Sequence, residues 1–357
     1  MQAQRRGRMT NAEARMTNVL MTQCLNDAWV ALALRLRRAS WRFELIRRGA
    51  DIHTVAPARI GNPAQRIMRV LIIGCGYVGR PLGLELARLG HEVYGLRRTA
   101  VSESGPIHPL TGDVADLEDL KRLPAPFDWV VNTVSSSKGG AEDYERVYLR
   151  GTRNVIEWLG ATPPKKYVHA GSTSVYAQND GSAVRESSPA EPQNETGRIL
   201  AHTENALLEA VKTRNFPAVL LRIAGIYGPE RGHLFQQYLR GEAVIAGQGE
   251  RLLNMIHRDD VVGCLIAALK NGRAGEVYNA VDDEPVPEIH FYRWLSETLG
   301  KNMPPFGSPP AERKRGVSSK RIVNRKLKAE LGYQFRYPTF RQGYTAEIQR
   351  LQDEGKL

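Results

Sequence analysis

Residues 70–79, VLIIGCGYVG, set glycines at 74, 76 and 79 directly behind four apolar residues. Glycine carries no reactive group, so the chemistry at this spacing is recognition. Gly74 permits a tight turn, Gly76 lets the backbone approach a pyrophosphate, and Gly79 lets a following helix lie close to the strand with its first N–H groups aimed at phosphate. Tyr77 and Val78 fall inside the same turn and count with the glycines as cofactor-binding positions. About 20 residues past such a turn an acidic side chain would hold the ribose hydroxyls of NAD. This chain has Arg97 and Arg98 there. A guanidinium pairs bidentately with a 2′-phosphate, so the spacing favours NADP over NAD. The alternative is that both arginines are solvent-exposed strand-end charges, in which case either dinucleotide would serve.

A glycine turn of this kind is informative only between a strand and a helix. An apolar helical segment follows at 81–89, Gly90 ends it, and 91–96 reads as a second strand. Further strands are expected at 107–110, 128–134, 166–170 and 218–223, with helices at 116–123, 144–159, 204–213 and 260–269 between them. This alternation predicts an α/β fold, a Rossmann-type doubly wound parallel sheet whose crevice lies at the carboxyl ends of the strands. Beyond Gly228 the loops lengthen and prolines multiply around helical pieces at 234–240 and 289–299, as in a smaller C-terminal substrate lobe. The expected organisation is a basic extension at 1–67, a dinucleotide domain at 68–228 to which 256–282 returns, and a substrate lobe made of 229–255 and 283–357.

The net charge of +12 is unevenly spread. Residues 1–67 hold 12 arginines, no lysine and four acids, which leaves the other 290 residues at only +4. Bulk charge therefore gives no argument for nucleic acid. The extension is expected to be an over-extended gene start ahead of Met68 or a loosely structured basic arm, with a helix at 27–48. No apolar stretch approaches the ~18 residues of a membrane span. Cysteines 24, 75 and 264 form no C-x-x-C, so neither a zinc site nor a disulfide framework is expected and a cytoplasmic setting fits. Cys75, inside the glycine turn, reads as a packing residue.

In order and spacing, GCGYVG, Gly112-Asp113, AGSTSVYA, LRIAGIYGPER, IHRDDVV and GEVYNAVDDEP resemble the extended short-chain dehydrogenase/reductase superfamily, in particular its NAD-dependent epimerase/dehydratase branch, over about residues 68–347. The short glycine motif, AHTEN and KLKAELGYQFRYPTFRQG are similar to an atypical bacterial subgroup whose substrates are largely unassigned. The resemblance implies that Asp113 sits beside adenine and that Ser172 and Thr173 hydrogen-bond a substrate oxygen. It also implies a Tyr-x-x-x-Lys pair, in which the lysine lowers the phenol's pKa so that it moves a proton at a substrate carbon–oxygen bond. The segment TGRILAHTENALL has Thr196 and Leu200 in those places, and no tyrosine in the chain is followed four residues later by lysine. Tyr176 is the nearest phenol, read either as a substitute acid or as packing under its loop. His202 reads as a titrating group near the altered pair or a surface histidine, and Asp259 and Asp260 as a helix N-cap.

Two functions follow. The first is an NAD(P)-dependent oxidoreductase or epimerase/dehydratase acting on a sugar nucleotide or similar hydroxyl- or carbonyl-bearing metabolite. The second is a catalytically inactive NAD(P)-binding regulator or sensor. The expected partners are a dinucleotide and a small molecule, with no metal, nucleic acid or membrane; the resemblance allows a homodimer paired through two long helices.

Overall fold

The computed structural model describes residues 66–100, 105–308 and 318–357, all within the unit Gln65–Leu357. The expectations for residues 1–65, including Cys24 and the helix at 27–48, lie outside the described residues. Seven strands form the central sheet: β1 (Arg69–Ile73), β2 (Glu92–Arg97), β3 (Ile107–Thr111), β4 (Trp129–Asn132), β5 (Lys166–Ser172), β6 (Ala218–Ile223) and β7 (Val277–Ala280). Their order is β7-β6-β5-β4-β1-β2-β3, and every neighbouring pair is parallel. The fold is therefore the expected α/β Rossmann type. Its strand order reverses between β1 and β4, the point at which such sheets leave a crevice.

A parallel sheet is covered on both faces, so its strands read as near-continuous apolar runs. Along β1, Val70 and Ile72 point to one face, where they join Leu82 and Leu86 of α1 (Gly79–Arg88) and Leu265 of the long helix Arg258–Asn271. Leu71 and Ile73 point to the other, against Val155 and Leu159 of Gly151–Gly160 and Leu207 of Glu195–Arg214. All four β1 side chains are fully buried, each contributing about 1.5–3 kcal/mol relative to exposure. A separate hydrophobic cluster includes Phe235, Tyr238, Phe291, Leu295 and Phe340.

Three local expectations need correction. The helix expected from 204 runs over Glu195–Arg214, because Asn194 caps it by accepting the Gly197 N–H (2.7 Å). The helix Arg258–Asn271 is capped by His257, whose Nδ1 accepts the Asp259 N–H, and not by either aspartate. Asp260 is instead fully buried and accepts the Tyr333 hydroxyl and the Arg336 and Tyr337 N–H groups, pinning the 333–337 loop. Third, Ile322, Leu327 and Leu331 belong to the same core as α1 and β1, so part of the segment assigned to the lobe packs with the sheet.

Candidate active site

The glycine turn joins β1 to α1, and sterics within the protein require glycine at two of its three positions, 74 and 79. Gly74 has φ +84, and a side chain there would press to 2.7 Å from the Val134 backbone. A Cβ on Gly79 would lie 2.6 Å from the Gly74 carbonyl and 2.8 Å from Thr133 Oγ1, so its absence is what lets α1 sit against the strand. A Cβ on Gly76 would meet nothing closer than 3.9 Å. The space over Gly76 belongs to a cleft of about 1380 Å³ that runs along the carboxyl ends of the strands and is also lined by Gly74, Tyr77 and Val78. Val78, at the N-cap of α1, offers no side-chain acceptor, and the first turn holds no acidic residue. Within the first turn Arg80 N–H donates to the Gly76 carbonyl (2.8 Å), Leu82 N–H donates to the Val78 carbonyl (3.1 Å) and Pro81 has no N–H, so Gly79 carries the N–H that the start of α1 can offer an anion.

Other cofactor-binding expectations fall on the same cleft. Arg97 and Arg98 line it at the end of β2, both exposed. Arg98 donates to Ser137 Oγ (3.1 Å), whereas the Arg97 side chain has no hydrogen-bond or ion-pair partner among the described residues. Asp113 lines the cleft and pairs with Arg146 (2.7 Å). Ser137 lies in a loop held by Asp143, which accepts from the Ser136 hydroxyl and from the Ser137 and Lys138 N–H groups. The Ser136 hydrogen bond leads the interactions that hold that carboxyl at about 2, against the cost of burial.

The other end of the cleft lies beneath the loop 172–176. Ser172 lines the cleft, and its Oγ accepts the Ser174 N–H and donates to Ser174 Oγ (3.0 Å). Thr173 is largely buried, its hydroxyl aimed at the Ile223 carbonyl at 3.5 Å. Tyr176 borders the cleft, but its hydroxyl is spoken for: it donates to Asn279 Oδ1 (2.7 Å) and accepts from Arg222 (2.8 Å). Arg222 in turn holds Glu204 through three contacts of 2.8 to 3.2 Å, with both side chains buried. Burial raises the phenol's pKa despite the nearby guanidinium. Thr196 and Leu200 line the cleft at the places of the missing pair, and Leu200 is buried there. His202 is exposed and is not among the cleft-lining residues.

The comparisons with known proteins agree with this geometry. The model of the NAD dependent epimerase/dehydratase family matches residues 70–280, which span all seven strands. The chain belongs to this family. Protein YeeZ of Escherichia coli (strain K12) is 29% identical over 283 residues, covering 76% of this chain and 96% of that protein. The dTDP-6-deoxy-L-talose 4-dehydrogenase (NAD(P)(+)) of Kitasatospora kifunensis is 31% identical over 190 residues, 51% of this chain and 56% of that protein. A UDP-glucose 4-epimerase structure with UDP-glucose, from Thermotoga maritima, superposes with a TM-score of 0.70 at 19% identity, covering 80% of this chain and 99% of that one, and so shares the fold.

For this epimerase/dehydratase family member, two cleft residues were not singled out in the sequence: Arg231 stood inside the motif LRIAGIYGPER, and Lys320 inside the charged run 320–328, which reads as a solvated helix face or as a contact for a phosphorylated substrate. Arg231 stacks on the Tyr77 ring, 4.1 Å from its centroid. Lys320 is carried in by the pairing of Arg321–Ile322 with Ala183–Val184. Lys320 and Arg321 are both charged, so the local sequence does not mark which is buried; the strand pairing puts Lys320 on the face of the buried Ile322. Among the described residues, no group of three or more His, Cys, Asp or Glu is placed to hold a metal, and no helix is long and apolar enough to cross a membrane.

Proposed function

We propose that the cleft binds a nicotinamide dinucleotide at its glycine end, NADP in preference to NAD, and a sugar nucleotide or similar hydroxyl- or carbonyl-bearing metabolite beneath the loop 172–176. On this reading the protein is an oxidoreductase or epimerase/dehydratase. The observation that carries it is the room over Gly76, where a Cβ would project into the cleft beside the uncapped start of α1. That arrangement fits a pyrophosphate, and the unpartnered Arg97 fits a 2′-phosphate.

The dinucleotide, when bound, supplies or accepts a hydride. The chain's own residues position and exchange protons. The backbone of 74–79 takes the phosphates, and Ser172 Oγ, oriented by Ser174, is the hydrogen-bonding group offered to a substrate oxygen. Thr173 supports that loop from behind. Tyr176 is assigned a structural role, because its hydroxyl is engaged by Asn279 and Arg222.

A second reading, a dinucleotide-binding sensor without catalysis, is favoured by Thr196 and Leu200, since a threonine hydroxyl is no acid near neutral pH and leucine carries no charge. Incubation with NADPH deuterated at nicotinamide C4 and a panel of keto-nucleotide sugars, whose carbonyl carbon can accept the deuteride, separates the two. Deuterium appearing in a sugar carbon is the expected result. Tight dinucleotide binding with no transfer to any of the sugars would select the sensor.

A further inference from the structure

Lys320 is the one buried lysine among the described residues, and it lines the cleft. Its Nζ donates to the Tyr176 carbonyl (2.8 Å) and to Ser318 Oγ (3.1 Å). An ammonium has three N–H donors. No carboxylate among the described residues pairs with Lys320, so one donor is left for whatever enters the cleft. The carbonyl that anchors it belongs to the loop that also carries Ser172, which puts a cation and a hydroxyl on the same piece of backbone.

The charged and titratable groups on the surrounding elements are occupied with one another. The Tyr176 phenol, Arg222 and Glu204 form one network. Glu186 accepts the Asn279 N–H, and Arg251 pairs with Glu288. Arg321, next in the chain, is exposed. Burial is what acts on the ammonium, and it lowers the pKa of Lys320 to about 8. A buried ammonium without a counter-charge costs stability, and such groups cluster at functional sites.

We infer that Lys320 is the proton-transfer group of this cleft, brought from a distant part of the chain to the task that Thr196 and Leu200 cannot perform. The inference rests on the reading of the cleft as a site of hydride transfer with a nicotinamide dinucleotide. In the reducing direction a substrate carbonyl carbon receives the hydride while its oxygen takes a proton from Nζ, giving a hydroxyl and a neutral amine that recovers a proton from water. In the oxidising direction the neutral amine removes the hydroxyl proton as the carbon gives up the hydride. A group that titrates near neutral pH has both forms populated and serves both directions.

The test is competitive acetylation of the full chain with acetic anhydride from about pH 6 to about pH 11, a range that spans the ordinary lysine titration near 10.4, read residue by residue by mass spectrometry. Lys320 is expected to gain reactivity with a midpoint near pH 8, about two units below the ordinary lysine value, with the exposed Lys212 and Lys301 serving as labelling references in the same digest. A midpoint shared with those surface lysines, or no labelling at any pH at which they react, overturns the inference. Calorimetric titration of the same preparation with NADPH keeps the two ideas apart. Normal binding with a late-titrating or inert Lys320 overturns the role of the lysine alone; no binding overturns the hydride reading and with it that role.

Discussion

At the glycine end of the cleft, the strand end and turn that would take the phosphates lie within ten consecutive positions, 70–79, and each residue does there what its type implies. At the other end the polar groups are drawn from far apart: Ser172 follows β5, Thr196 opens the helix Glu195–Arg214, and Lys320 comes from a segment more than a hundred residues later. The first end is shaped by backbone and sterics, so its integrity is local. The second is held by a buried charged network behind the loop 172–176, so its integrity depends on contacts across the whole sheet.

The strongest way to break this contrast is to remove one partner of the buried pair. Glu204→Gln leaves Arg222 charged and unpaired in the interior, and the expected cost is about 3–5 kcal/mol in denaturant unfolding. Because Arg222 also holds Tyr176, the damage should fall on the loop 172–176, while dinucleotide affinity in the folded fraction stays near wild type. An unfolding midpoint unchanged from wild type would mean that the network does not support this end.

A smaller effect comes from pH. His169, on β5, is fully buried, and burial lowers its pKa to about 4 from an ordinary 6.5. Between those values the unfolded chain binds a proton that the folded chain does not. The contribution is therefore complete above about pH 6.5, declines as pH falls toward about 4, and is flat below, a total loss of up to ~3 kcal/mol. His169→Asn should flatten the stability profile in that window relative to wild type; parallel profiles would show that His169 is not held neutral.

Smaller still is the expected effect at the end of β2. Arg97→Ala should cost about tenfold in affinity for NADPH, a little over 1 kcal/mol, and leave NADH binding unchanged. Arg98→Ala should cost less, because Arg98 is already bonded to Ser137. Equal loss for both dinucleotides would remove the 2′-phosphate from the account.

The same contrast governs what could be read from the chain. β1, the glycine turn and α1 were legible because apolar periodicity and steric need are written in adjacent residues. β7 was seen only as part of a motif, because VYNA is four residues long with a polar one inside the apolar run. The start of the helix Glu195–Arg214 was placed late because its cap, Asn194, precedes a stretch broken by Gly197 and Arg198. The engagement of the Tyr176 phenol depends on Asn279 and Arg222, 103 and 46 residues away, and no local pattern reports such partners. Lys320 was hidden for the same reason, lying in a charged segment that looks like solvated surface.

The most direct test of the account is calorimetric titration of wild type, Gly76→Val and Gly79→Val with NADPH, beside their unfolding curves. Because only the cleft lies over Gly76, Gly76→Val should unfold like wild type yet lose at least tenfold in affinity, whereas Gly79→Val, forced against the Gly74 carbonyl, should lose stability as well. Full NADPH affinity in a folded Gly76→Val protein would contradict the claim that this turn is where the dinucleotide sits.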